Sequence, residues 1–160
     1  PADDGWIGIV CLPRVVGRKG NHIDVRMQPN VRAAYSKEIT DISCASEDGY
    51  MAVFDLEDGE QADIGGFLIK RKGNRIQTDR TAVYPSFEGA HLLSETPELT
   101  DGCRIEVLAD KNLIEVYIND GEYVISNAVY GTGDFIKVNI EKTVHLYTLK
   151  EHGERTRGEE

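Results

Sequence analysis

Arg104-Ile-Glu-Val-Leu-Ala-Asp-Lys-Asn-Leu-Ile-Glu-Val-Tyr-Ile-Asn-Asp-Gly-Glu-Tyr-Val-Ile-Ser-Asn-Ala-Val-Tyr130 places an apolar residue at every second position. Ile114, Val116 and Ile118 share one face and Glu115, Tyr117 and Asn119 the other, which is the period-2 geometry of a half-buried strand. Asp120-Gly121 supplies a two-residue type I′ turn: both central positions need φ > 0, which Gly adopts freely and Asp tolerates better than most residues. Asp110-Lys111-Asn112 is a second tight polar connection. Residues 104–109, 113–119 and 122–130 therefore read as a three-strand antiparallel meander.

Outward from the meander, short alternating runs recur between turn signals. Residues 6–12 form an apolar run closed by Pro13, a lead-in strand whose end is set by a residue that cannot donate to a ladder. Arg18-Lys-Gly-Asn21 is a turn, and 22–28 alternate again. The alternation lapses over 29–38, where Val31-Arg-Ala-Ala-Tyr35 suits one helical turn or an irregular loop crossing the sandwich edge. Residues 39–45 and 50–56 flank Ser46-Glu-Asp-Gly49 as a hairpin, and Glu57-Asp-Gly-Glu60 makes the next turn. Residues 64–71 and 76–81 pair around Lys72-Gly-Asn-Arg75, with Gly65-Gly66 marking a bulge or a close backbone approach. The long connection 83–100 carries Pro85 and Pro97 and suits strands that switch between sheets. Residues 135–140 and 144–149 alternate around Glu141-Lys-Thr143, and 151–160 turn wholly polar, which predicts disorder. With no amphipathic helix of useful length, the expected fold is all-β: a two-sheet antiparallel β-sandwich of the jelly-roll or concanavalin-like kind. No internal repeat of fixed period is present, which argues against a complete propeller.

The 160 residues suit one domain, and 40% hydrophobic composition is enough for a core. Lys+Arg 18 against Asp+Glu 28 gives a formal charge of −10, which repels phosphate backbones and anionic bilayers, so neither nucleic acid nor membrane is an expected partner. Cys11, Cys44 and Cys103 are odd in number and far apart, the pattern of free, buried thiols in a reducing, cytoplasmic setting rather than of a disulfide framework or zinc site. The four histidines have no ligand spacing. Asp55, Glu57, Asp58 and Asp63 miss the calcium-loop pattern. Neither a metal nor a cofactor is expected. No Gly-x-Ser-x-Gly elbow or phosphate-cradling loop occurs. Asp110, Glu115, Asp120 and Glu122 are close in sequence and read as surface carboxylates beside a turn.

Three stretches, in order, carry a family resemblance. Gly5-Trp-Ile-Gly-Ile-Val-Cys-Leu-Pro-Arg14 resembles the segment that joins the catalytic propeller to the C-terminal sandwich in glycoside hydrolase family 32, the invertase, levanase and sucrose-6-phosphate hydrolase family. Ile76-Gln-Thr-Asp-Arg-Thr81 resembles that sandwich's Leu-x-Leu-Asp-Arg-Ser strand. Asp110, Ile114-Glu-Val-Tyr117 and Asn119-Asp-Gly-Glu122 resemble its Val-Glu-Val-Phe and Asn-Asp-Gly-Glu hairpin. The resemblance implies an organisation of joint and lead-in strand at 1–14, sandwich at 15–150 and polar tail at 151–160, in a fragment that starts at an interdomain joint.

The family's retaining chemistry needs two carboxyls about 5–5.5 Å apart, carried in its propeller on Asn-Asp-Pro-Asn-Gly, Arg-Asp-Pro and Glu-Cys motifs. None of these occurs in this chain. The resemblance thus implies a non-catalytic module with no catalytic residues of its own, in a parent that is a β-fructofuranosidase-type glycosidase. Its expected partner is the propeller of the same parent, met through Trp6, Ile7, Ile9 and Leu12; an uncovered joint would also favour self-association. The alternative is an independent carbohydrate-binding or lectin-like module. For that, Tyr117 and Tyr123 are the candidate sugar-stacking residues, on the meander face opposite Ile114 and Val116 or beside its turn.

Overall fold

The computed structural model describes residues 9–45, 49–138 and 143–150. Among them, thirteen strands and one short helix follow the chain in this order: β1 (Arg14–Lys19), β2 (His22–Met27), α1 (Pro29–Ala34), β3 (Lys37–Ile39), β4 (Tyr50–Asp55), β5 (Gln61–Ile64), β6 (Phe67–Lys72), β7 (Arg75–Asp79), β8 (Leu93–Glu95), β9 (Arg104–Asp110), β10 (Leu113–Ile118), β11 (Tyr123–Ala128), β12 (Ile136–Val138) and β13 (His145–Thr148). A six-stranded antiparallel sheet runs β11-β10-β9-β4-β13-β3 and a five-stranded one β12-β5-β6-β7-β8; β1 and β2 form a separate hairpin. The expected two-sheet antiparallel sandwich is what the chain adopts.

The main core lies between the sheets. Ala62, Ile64, Phe67, Ile69 and Ile76 project from the five-stranded sheet against Phe54, Ile105, Val107, Ile114, Val116 and Ile118 of the six-stranded one. Each of these large side chains, fully withdrawn from water, stabilises the fold by about 1.5–3 kcal/mol. In β5, β6 and β7 buried and half-exposed positions alternate, as one-sided packing demands. In β9 and β10 they do not: Ile105 to Ala109 and all of β10 are buried. The outer face of the six-stranded sheet is covered too, by a second cluster in which Met27 and Tyr35 pack on Met51, Val53, Leu108 and Tyr117.

The meander has the expected strands and register, with Ile118 opposite Tyr123 and Val116 opposite Val107. Its tip is wider than a two-residue turn. Asn119, Asp120 and Gly121 all have positive φ (49°, 56°, 98°), and Gly121 N–H donates to the Ile118 carbonyl at 3.0 Å, which centres the primed turn on Asn119-Asp120.

Other expectations are corrected. Residues 9–13 carry no strand, so the lead-in strand expected over 6–12 is not formed in its described part, and the first described strand starts at Arg14; residues 1–8 lie outside the described part. Ile42–Cys44 is a 3-10 turn capped by Asp41, whose side chain accepts from Ser43 N–H. Of the three cysteines expected to be buried only Cys103 is; Cys44 in this turn and Cys11 ahead of β1 lie outside the packed sheets and are exposed. β3 pairs with β13 rather than with β4, because β4 is already flanked by β9 and β13; residues 46–48 of the expected hairpin tip lie outside the described part. Gly65-Gly66 is the full connection between β5 and β6, with φ of 59° and 100°; of the two expectations for it the bulge is not found and the close backbone approach is, since a Cβ built on Gly65 would lie 2.2 Å from Gly133 O. β12 and β13 belong to different sheets; the segment between them includes 139–142, and the tail expected at 151–160 also falls outside the described residues. Val31 to Ala34 does form helix: α1 starts with Pro29, and the Gln28 side chain accepts from Asn30 and Val31 N–H as an N-cap.

Candidate interdomain face

The outer face of the six-stranded sheet holds the two buried carboxylates among the described residues. Glu106 (3% exposed) and Glu115 (0%) project there beside Tyr117. An isolated carboxylate in such a place would carry a large desolvation penalty, and each finds an arginine. Arg14 reaches Glu115 Oε1 and Ser126 Oγ through Nη2, while the Tyr117 hydroxyl donates to Glu115 Oε2 at 2.8 Å. Burial first, then that bond, holds the Tyr117 phenol well above its ordinary pKa. Arg32 of α1 reaches Glu106 Oε2, and Arg104 Nη2 donates to Oε1 at 3.1 Å. Hydrogen bonding to Glu106 raises Arg32 against the opposing effect of its own burial. Both carboxylates are therefore used to fasten the cover of the sheet. Neither stands free as an acid or base.

The cover is the β1–β2 hairpin with α1. Beyond the two ion pairs, Val25 N–H donates to Gly121 O at 2.8 Å, and the His22 Nε2 to Glu122 O distance is 2.7 Å. The His22 ring meets Tyr123 edge-on at 5.3 Å, and Lys150 N–H donates to Ala34 O. Gly121 is at the point of closest approach: a Cβ built there would lie 2.5 Å from Val25 O.

Fastened at its Arg14–Met27 end, the hairpin leaves an apolar strip exposed nearer its turn. Val16 is 69% and Ile23 63% exposed; because Val16 pairs with Val25 and Ile23 with Arg18, the two lie diagonally on one hairpin face. Just before the hairpin, Val10 is 89% exposed. Of the joint residues expected from sequence, Ile9 is exposed, Leu12 is half-buried against the second core cluster, and Trp6 and Ile7 lie outside the described residues. Val10, Val16 and Ile23 were missed; the signal available was the apolar positions facing Arg18 and Val25 across the Gly20-Asn21 turn.

The candidate sugar-stacking residues are placed differently. Tyr117 is 1% exposed, packed beneath Arg14 and bonded to Glu115, so its ring faces no solvent. Tyr123 is half-buried between His22 and the inter-sheet core, with its hydroxyl toward Glu98 O at 3.4 Å. Glu115 and Glu122 are likewise not free surface carboxylates: Glu122 accepts from Thr100 N–H and Asn119 Nδ2. Among the described residues, no group of three or more His, Cys, Asp or Glu side chains is placed to hold a metal.

Known proteins agree with this architecture. The family model "Glycosyl hydrolases family 32 C terminal" matches residues 31–153. No curated protein matches the sequence. Among solved structures, sucrose-6-phosphate hydrolase from Lactobacillus gasseri superposes with a TM-score of 0.67 at 12% identity, over 86% of this chain and 33% of that one. The β-fructofuranosidase of Bombyx mori gives 0.63 at 13%, over 92% and 34%. A family 32 glycoside hydrolase from Bifidobacterium adolescentis gives 0.61 at 18%, over 87% and 25%. At these identities the superpositions show a shared fold, and this chain spans between a quarter and about a third of each of those proteins. The match over 31–153 includes the whole sandwich from β3 to β13, and the chain belongs to glycosyl hydrolase family 32 as its C-terminal domain.

Proposed function

We propose that this chain is the non-catalytic sandwich of a β-fructosidase acting on sucrose or a fructan, and that it packs against the catalytic propeller of its parent through the β1–β2 hairpin. The observation that carries this is an apolar strip left open on an anchored hairpin. The hairpin is fixed to the sheet at its Arg14–Met27 end by Arg14 on Glu115, while nearer its turn Val16 and Ile23 are presented to water. Uncovered apolar strips of this kind mark interaction sites, and contacts between domains of one chain typically cover about 600–1,500 Å². The absence of the family's catalytic motifs from the sequence, and the use of both buried glutamates in ion pairs, support a supporting rather than a chemical role.

Expressing the parent's propeller and this chain as separate polypeptides tests the proposal. The two should associate, and Val16→Asp with Ile23→Asp should weaken association at least tenfold while leaving the fold of the sandwich intact. Undiminished association of the folded double variant would place the contact elsewhere. The isolated chain should release no fructose from sucrose or inulin; activity that copurifies with it through mutation of unrelated surface residues would refute the non-catalytic role.

A further inference from the structure

Away from the hairpin, the loop between β7 and β8 and the loop after β11 bring three aromatic rings together. Tyr84 lies 6.1 Å from Phe87 and 5.7 Å from Tyr130 between ring centroids, with the rings inclined at 45° and 33°. Their placement is fixed from beneath. Val83 (2% exposed) and Val129 (0%) anchor the two loops in the core, and Tyr130 N–H donates to Val83 O across the gap. The Arg80 guanidinium lies 3.8 Å from the Tyr84 ring centroid. It is held there by donation from Nε to His91 O at 2.9 Å and from Nη1 to Ala128 O at 3.0 Å.

What remains open has a particular chemistry. Phe87 is 59% and Tyr130 39% exposed, between them about one aromatic side chain of uncovered surface, about 150–250 Å². An uncovered aromatic area of that extent is of the size of a sugar ring. The Tyr84 and Tyr130 hydroxyls and Arg80 Nη2 donate to no described residue. Aromatic faces beside unused hydroxyl and N–H groups complement a sugar, whose C–H face is apolar and whose rim is all hydroxyls. A chain of net charge −10 also favours a neutral ligand over an anionic one.

We infer that Tyr84, Phe87 and Tyr130 form a preorganised stacking platform for a sugar ring of a fructan chain, held ready by Arg80. The identity of the sugar rests on the fructosidase reading; the platform itself rests on the rings. It would keep a polymeric substrate beside the parent enzyme without taking part in bond cleavage.

Titrating the isotope-labelled 160-residue chain with an inulin-type fructo-oligosaccharide, with cellopentaose as comparator, tests this by amide shifts. Saturable shifts centred on Tyr84, Phe87 and Tyr130 are expected with the fructan, weakened at least tenfold in Phe87→Ala and in Tyr130→Ala and retained in Phe87→Tyr. Phe87 is exposed, so its variants should keep the parental melting temperature. Three outcomes overturn the proposal: no saturable shift, shifts unaffected by both alanine variants, or shifts with cellopentaose alone. The last would also count against a fructosidase parent, whereas a failure of propeller association with intact fructan binding would count only against the hairpin contact.

Discussion

Glu115, at 0% exposure, depends on Arg14, Tyr117 and Ser126 for its charge. Removing one partner of a buried pair leaves the other uncompensated, which costs about 3–5 kcal/mol. Arg14→Met should therefore lower unfolding stability by about 3 kcal/mol, the low end because Arg14 retains partial solvent contact. Arg14→Met with Glu115→Leu should recover most of that loss, since an apolar pair can replace a buried ionic one. Urea midpoints of the single and double variants decide it; a neutral single variant would mean that solvent already satisfies Glu115. Gly121 offers a second test. Its φ of 98° and the 2.5 Å approach of a built Cβ to Val25 O predict that Gly121→Ala destabilises by more than about 1 kcal/mol. Loss of protection at the Val25 amide in hydrogen exchange should accompany it, and an unchanged Val25 would show that the contact yields freely. From sequence, the glycine was legible as a turn residue and its second duty was not: alternation tells which residues share a face, and says nothing about whether another element covers that face. For the same reason Glu115 and Tyr117 read as solvent-facing and are core.

At the level of elements, the strands whose partners are adjacent in sequence were legible: β6 with β7, and β9 with β10 and β11. Each is joined by a short turn whose residues announce it, as Gly73-Asn74 and Asn119-Asp120-Gly121 do. Pairings that close long loops were not, because β3 on β13 and β12 on β5 depend on which edge is vacant after the local hairpins have formed. The 3-10 turn at Ile42–Cys44 shows a local competitor winning: Asp41 caps it through Ser43, and that side-chain bond offers the backbone an alternative to a ladder. β1 escaped notice because Arg14, Gly17, Arg18 and Lys19 dilute its apolar positions. The hairpin it makes is nonetheless the element that covers the outer sheet face and presents the candidate contact strip.

For the molecule as a whole, burial sets an alkaline limit. The Tyr50 phenol is raised by burial and by the Asp134 carboxylate, and the Tyr117 phenol by burial and by its bond to Glu115. An unfolded phenol ionises near pH 10. The folded chain keeps both protons above that point, so it binds more protons than the unfolded chain and its stability falls as pH rises; below about pH 10 the contribution is complete. Phenolate absorbance should show these two tyrosines ionising only together with loss of structure, and Tyr50→Phe should move alkaline unfolding to higher pH. A titration in which every tyrosine ionises near pH 10 with the fold intact would refute the assignment. The sheet margins carry a different consequence. β3 and β8, which end one margin of each sheet, are three residues long, and the longer margin β11 has β2 lying against it. A three-residue border offers too few unpaired amides to template an incoming strand, so at these margins the sandwich is guarded against growing into fibrils along its hydrogen-bonding direction, and copies that meet there are left to do so through side chains.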